Sequence, residues 1–321
     1  MFNLIFTFFI ALILAGCGGG SGGTGDVNDS SEQVRDLALS AMLNNEWIGN
    51  AIAYSPYRDG KGPGSFPLPS EAEILEDLNI IKERWKLIRL YGADDVSERV
   101  LTVIQNNSLA IKVLQGAWIE SATTIVDNET QLNKMIELAN TYSDIVVAVN
   151  IGNEMSLRNS PSTNTILNYI KTTKQSISQP VTVNDVYSYW NNNQAQDIAN
   201  AVDFISVHIY AYWDNQMLVN SLSYTQNLFS DIESRYPNKQ IVIGESGWPS
   251  SDNNEKIGIA NLQNQKSFFN DYSAWINQQQ IVSFYFEAFD EKWKSQASGL
   301  EVEEHWGLYY SNRLPKLAVI D

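Results

Sequence analysis

Eight short runs, at residues 51–54, 86–91, 111–115, 145–151, 181–184, 204–210, 241–244 and 281–286, are rich in Val, Ile and Tyr, and most are apolar on both parities. A strand with one wet face alternates apolar and polar residues. A run without alternation is a strand covered on both sides, as in a parallel sheet. Between most of these runs lie longer segments of helical period. Residues 70–85 place Ile74, Leu78 and Ile81 on one face, with Glu71, Glu73 and Glu76 in the first turns, where the helix dipole favours acids. Residues 127–142 repeat the pattern with Leu132, Ile136 and Ala139, and residues 255–278 with Ile259, Leu262, Phe269 and Trp275. Strands alternating with helices at about 30 residues per unit predict one α/β domain, a (β/α)8 TIM barrel. A doubly wound open sheet is the rival, but it calls for a Gly-rich phosphate loop that opens a helix after the first strand. Here that place runs from Ser55 to Gly64, and no helix opens until after Pro69.

The first 31 residues follow a different pattern. Phe2 to Leu14 is apolar apart from Asn3 and Thr7, short of the roughly 20 residues of a bilayer span and the right size for a signal-peptide core. Leu14-Ala15-Gly16-Cys17 is similar to a bacterial lipobox, which makes residues 1–17 a lipoprotein signal peptide and Cys17 the point of lipid attachment. An ordinary cleaved signal with a Cys nearby is the alternative. Residues 18–31 are Gly, Ser, Thr, Asn and Asp apart from Val27, a tether that builds no core. The catalytic domain is expected over residues 32–321, hung by acyl chains from a membrane in the cell envelope. Gly18 after the Cys points to the outer membrane.

Composition narrows the function. There are 37 acidic against 21 basic residues, a net charge of −16, which excludes general affinity for nucleic acid or an anionic lipid surface. One Cys leaves no intramolecular disulfide, and two His make a histidine-rich metal cage improbable on composition. Glu303, Glu304 and His305 are adjacent and point in different directions, so no metal or cofactor is expected. Nine Trp and fifteen Tyr suit a neutral polar ligand with flat apolar faces, and a monomer is expected.

In such a barrel the chemistry lies at the C-terminal ends of the strands. Two predicted strands end in a Glu: Val147-Ala148-Val149-Asn150-Ile151-Gly152-Asn153-Glu154, and Ile241-Val242-Ile243-Gly244-Glu245-Ser246-Gly247-Trp248-Pro249-Ser250. They close strands four and seven, which face each other across the mouth. Paired carboxylates suit glycosidic cleavage, in which one protonates the leaving oxygen and the other attacks the anomeric carbon or activates water.

Gly152-Asn153-Glu154 and Gly244-Glu245-Ser246-Gly247-Trp248-Pro249-Ser250 resemble the acid/base and nucleophile motifs of glycoside hydrolase family 17, the retaining β-1,3-glucanases, in its bacterial and fungal form. The resemblance extends through Ile88-Arg89-Leu90-Tyr91-Gly92, Val207-His208-Ile209-Tyr210, Phe286-Glu287-Ala288-Phe289-Asp290 and His305-Trp306-Gly307-Leu308. One departure is Ala211, where the family has Pro. The resemblance implies Glu154 as acid/base, Glu245 as nucleophile and Asn153 as the ligand of a sugar 2-hydroxyl. It also implies that Glu287, Asp290 and Lys294 line the cleft, with Lys294 fixing nearby carboxylates. Tyr91, Tyr210, Trp213 and Trp248 are the candidate platforms for glucose rings, and His208 reads as a core histidine. The partner implied is a β-1,3-glucan, cut by double displacement. A transglycosylase using the same two Glu residues and an inactive glucan-binding surface lipoprotein are the alternatives.

Overall fold

The computed structural model describes residues 37–120, 125–158, 161–254, 256 and 258–320, so the expected signal peptide, tether and Cys17 lie outside the described residues. The chain divides into two units, Met1–Val34 and Arg35–Asp321, and the second is described here. It opens with a hairpin, β1 (Met42–Leu43) and β2 (Glu46–Trp47), whose turn residues Asn44 and Asn45 both have positive φ. That is the backbone a tight two-residue hairpin needs, and Asn adopts it readily. The apolar pattern did not predict this hairpin, because two-residue strands are too short to show a period.

Eight parallel strands then close into a barrel in chain order: β3 (Asn50–Ala53), β4 (Leu87–Leu90), β5 (Lys112–Ala117), β6 (Val146–Asn153), β7 (Val181–Val186), β8 (Ile205–His208), β9 (Ile241–Ser246) and β10 (Ser283–Tyr285), with β10 paired back onto β3. All eight predicted strands are present, and the (β/α)8 barrel is the fold. The longer helices between strands are α1 (Glu71–Ile81), α2 (Asp95–Asn106), α3 (Ile125–Thr141) and α4 (Thr163–Ser176). After β7 come two short helices, α5 (Tyr187–Trp190) and α6 (Gln196–Ala201). They are followed by α7 (Leu218–Arg235), α8 (Leu262–Gln279) and the short α9 (Trp293–Ser298).

Local signals set the helix starts. Ser70 caps α1 in a capping box with Glu73, and Asp94, Ser162 and Asn261 cap α2, α4 and α8. The helix expected to begin at residue 255 begins at Leu262. Ile259, expected on its apolar face, is exposed with a φ of 48°. A helix cannot run through that conformation, and the Asn261 cap supplies the start.

The core divides by height. Leu39, Ala41 and Ile48 from the hairpin segment pack against Ala51, Leu87, Phe204, Val242 and Phe284 in the lower half of the barrel. The hairpin is the stopper of that end. In the upper half the enclosed side chains turn polar: Arg89, Asn184, His208 and Glu245 are all buried. Buried polar groups need partners, so this half of the barrel is built around them.

One buried charge network ties the C-terminal segment to α1. Arg313 donates to both oxygens of Asp77, Nε at 2.7 Å and Nη2 at 2.8 Å, while Arg58 Nη2 and the Tyr54 hydroxyl approach at 2.9 and 3.1 Å. Burial pushes the Asp77 carboxyl above its ordinary pKa even against the two guanidinium groups. Asp77→Ala leaves Arg313 buried and unpaired. It should lower the unfolding free energy by about 3 kcal/mol or more. Urea titration checks this, and a loss under about 1 kcal/mol would show the network to be dispensable.

Candidate active site

The C-terminal ends of the strands open into a cleft of about 890 Å³. Asn153, Glu154, His208 and Glu245 are among the residues that line it. Glu154 follows β6 in the left-handed region, φ 48° and ψ 42°, after Gly152 at φ 74°. A non-glycine residue holds this backbone at a cost of about 1–2 kcal/mol, so the neighbours must impose it. Glu154 N–H donates to Asn184 O at 2.9 Å, and the carboxylate of Asp185 accepts from Ser156 N–H at 3.0 Å and Ser156 Oγ–H at 2.5 Å. The end of β7 thereby clamps the turn that carries Glu154.

Glu245 sits within β9 and is 4% exposed. Its Oε1 accepts from Arg89 Nη1 at 2.8 Å and from the Tyr91 hydroxyl at 3.0 Å, and its Oε2 accepts from the Tyr210 hydroxyl at 2.7 Å. Burial alone would raise this carboxyl. The facing His208 ring, the Arg89 guanidinium and the two hydroxyls outweigh burial and hold its pKa below the ordinary value. Burial raises the Tyr91 and Tyr210 hydroxyls, with the Glu245 charge adding to the effect, so both remain proton donors.

Arg89 organises the rest. Nη2 donates to Asn153 Oδ1 at 2.5 Å and Nη1 to the Gly244 carbonyl at 2.9 Å. With its amide turned to satisfy both ends, Asn184 accepts from Arg89 Nε at 2.9 Å and Nη2 at 2.7 Å and donates to Ser206 Oγ. Gly244 makes room for this packing: a Cβ there would lie 2.5 Å from Ser206 Oγ and 3.0 Å from the His208 ring.

Glu154, His208 and Glu245 bring two oxygens and a nitrogen within 4.8 Å of one another. Donors at that density are also found in metal sites. Here the Arg89 guanidinium already neutralises Glu245 and repels a second cation, so the arrangement is a pair of carboxyl groups facing each other beside a histidine. Inverting glycosidases set their carboxyl groups about 6.5–9.5 Å apart to seat a water, and retaining ones about 5–5.5 Å apart. The nearest oxygens of Glu154 and Glu245 lie within 4.8 Å of each other.

The other expected site residues divide. Tyr91 and Tyr210 line the cleft as hydrogen-bond donors to Glu245. Trp213 lines it half-buried, tilted at 5.6 Å against Trp306, with Lys256 Nζ 4.3 Å over the ring. Lys294 reaches the cleft and is paired with Glu287 and Glu291. Burial, reinforced by Glu291, pushes the Glu287 carboxyl well above its ordinary value despite the lysine.

Three expectations are corrected. Trp248 is fully buried, packed against Tyr212 at 5.2 Å and Phe268 at 5.5 Å, so it is a core residue and not a platform. Asp290 is buried outside the cleft, where it accepts from Lys316 Nζ at 2.6 Å and Gly307 N–H at 3.0 Å. Glu287, 1% exposed, stands behind Lys294 and does not line the cleft wall.

Sequence reasoning missed Arg89, His208 and Trp118. Arg89 and His208 are polar residues inside apolar strands, and a charge in such a place requires a buried partner; that signal was in the sequence. Trp118 directly follows β5 and lines the cleft, its indole N–H donating to Glu120 at 2.7 Å and Arg158 stacked over its ring at 4.4 Å. The strand-end rule applied to β5 points to it.

The family model described as the BtgE/BtgC glycoside hydrolase domain matches residues 51–307. Among curated proteins the chain is similar to btgC of Aspergillus niger, named for glucan endo-1,3-beta-glucosidase, at 30% identity over 92% of this chain and 46% of that protein. The chain thus spans about half the length of the Aspergillus relatives it matches. It is also similar to a glucan 1,3-beta-glucosidase of Schizosaccharomyces pombe, 25% identical over 87% of this chain and 93% of that one. Among solved structures, an endo-laminarinase from Formosa superposes with a TM-score of 0.75 at 23% identity, covering 84% of this chain and 86% of that one. The family 17 β-1,3-glucanosyltransferase of Rhizomucor miehei gives 0.72 at 22%, covering 84% and 96%. At these identities the structural likeness speaks for the fold.

The depressed Glu245 carboxyl gives a test of Arg89. An opposite charge favours the ionised form, so Arg89→Met should move the Glu245 titration midpoint to higher pH. Carbon-13 NMR of labelled glutamate carboxyls reads this, and an unmoved midpoint would remove Arg89 from the electrostatics of the site.

Proposed function

The chain belongs to the BtgE/BtgC glycoside hydrolase family, and on that footing we propose that it cleaves β-1,3-glucosidic bonds of a laminarin-type glucan by retaining double displacement. The observation that carries this is the facing pair of Glu154 and Glu245, with Glu245 buried and held ionised and Glu154 half-exposed to the cleft. The named activities of the relatives support the substrate class.

Glu154 carries the proton to the glycosidic oxygen as that oxygen leaves C1. Glu245 attacks C1 from the opposite side, and the bond to the leaving sugar breaks as the glycosyl ester forms. Glu154, now a carboxylate, takes a proton from water, whose oxygen displaces Glu245 from C1. Asn153, held by Arg89 beside Glu245, is placed to bind the sugar 2-hydroxyl, a contact that strengthens as charge develops at C1. Arg89, Tyr91 and Tyr210 bind Glu245 in the resting state and orient its free lone pair. Trp213 and Trp118 line the cleft where glucose rings would stack. An inert glucan-binding role would leave no reason for a buried carboxylate held by Arg89, Tyr91 and Tyr210 to face a second carboxyl group across the cleft.

Glu154→Gln and Glu245→Gln should each lower the hydrolysis rate of linear β-1,3-glucan by about a hundredfold or more while leaving the fold intact. Residual activity above roughly a tenth of wild type in either would overturn the assignment. Proton NMR of the first-formed anomer should show the β configuration, and an α product would mean inversion. Product sizes over time separate outcomes with the same two carboxylates: products longer than the substrate mean that an acceptor sugar resolves the glycosyl ester.

For location we propose that acyl chains on Cys17 tether the domain to the outer membrane. Among the described residues no helix is long and apolar enough to cross a membrane, and acyl chains anchor at about 0.8 kcal/mol per buried CH₂. Cys17→Ser should abolish incorporation of a fatty-acid analogue and release the protein from the membrane fraction. Unlabelled wild-type protein in the soluble fraction would sink the lipoprotein reading and leave the glucanase reading untouched.

A further inference from the structure

His208 ends β8 with a fully enclosed side chain and meets each of the charged groups at the centre of the site. Its Nδ1 lies 2.9 Å from Glu154 Oε1 and 3.5 Å from Glu245 Oε2, and its Nε2 faces Arg89 Nη1 at 3.3 Å. Arg89 comes from β4, Glu154 from the end of β6 and Glu245 from β9. Asp185, on β7, is the further charged group whose field reaches the ring. Carboxylate oxygens only accept, so a ring nitrogen lying between two of them carries a proton. Nδ1 of His208 is that nitrogen. That N–H has a carboxylate on either side and donates to the nearer, Glu154. Among the described residues His208 is the one side chain that hydrogen-bonds the Glu154 carboxylate.

We infer that His208 is a positioning residue of the reaction, holding Glu154 at its working distance from Glu245 through its Nδ1–H. The inference rests on the acid/base reading of Glu154. When Glu154 gives its proton to the leaving oxygen, the new carboxylate finds a donor already in place, with no reorganisation at the moment of reaction. When Glu245 becomes the glycosyl ester its charge disappears, and the shared N–H is left to Glu154 while that residue takes a proton from water.

Two substitutions separate this from mere packing. The amide nitrogen of His208→Asn falls where Nδ1 lies, and that of His208→Gln falls where Nε2 lies, toward Arg89. The kcat/KM of each is followed across pH on linear β-1,3-glucan. It is also measured on an aryl β-laminaribioside with a dinitrophenolate leaving group, whose departure needs no proton. His208→Asn should stay within about threefold of wild type on both substrates. His208→Gln should lose about tenfold or more on glucan, with the basic limb of its profile moved to higher pH, and much less on the activated glycoside. Equal losses on the two substrates, an unmoved basic limb, or Gln performing as well as Asn would each overturn the proposal. Glu154→Gln on the same pair tests the underlying reading separately. It should lose glucan activity and keep most of its kcat/KM on the activated glycoside, and if it keeps glucan activity the acid/base assignment falls whatever His208 does.

Discussion

A guanidinium that cannot shed its proton stands enclosed in the upper half of this barrel, and the rest of the site follows from having to satisfy it. Desolvating such a charge costs several kcal/mol unless its donors are all met. The donors of Arg89 go to Asn153 and Asn184, to the Gly244 carbonyl and to the Glu245 carboxylate, with His208 Nε2 alongside. Those partners come from β6, β7, β8 and β9, so one side chain from β4 sets the mutual placement of half the barrel. Together with the His208 ring, the same charge holds the Glu245 pKa below its ordinary value against burial.

The apolar lower half makes this arrangement rigid. The N-terminal hairpin stoppers that end with Leu39, Ala41 and Ile48, and the helices cover the outer faces of the strands. Packing there is of the ordinary dense kind, in which positions are over-determined by many small contacts. A frame of this sort can hold Glu154 in a left-handed backbone conformation, because the Asn184 carbonyl and the Asp185 carboxylate clamp both sides of its turn. Paired networks elsewhere, Asp77 with Arg58 and Arg313 and Asp290 with Lys316, fasten α1 and the C-terminal segment to the barrel without entering the cleft.

Charge and aromatic placement then divide the labour within the cleft. Glu245 lies deep among donors, while Glu154 stands nearer solvent on its turn, so two residues of one type are given different environments. That separation is what lets two identical carboxyl groups take different roles. Trp118 and Trp213 follow β5 and β8 on loops at the rim, and each has a cation against its ring, Arg158 in one case and Lys256 in the other. Fixed aromatic faces above a charged floor suit a neutral, flat-faced sugar polymer better than an anionic one.

The order of strands and helices was legible in the chain because it rests on local periods, and so was the position of Glu154 and Glu245, because strand ends are local features. The same rule misplaced Trp248 and Asp290: ending near the cleft does not say which way a side chain turns, and one was drawn into the aromatic layer around Tyr212 and Phe268, the other toward Lys316. Arg89 and His208 showed themselves as polar residues within apolar strands, yet nothing near them in sequence named their partners. The sequence by itself determined the barrel, its acidic character and the two carboxylates at its mouth. Tertiary structure alone decided which groups surround each carboxylate, because Arg89 and Glu245 stand 156 positions apart and His208 and Glu154 stand 54 apart, and only closure of the barrel brings such distant residues within reach of a hydrogen bond.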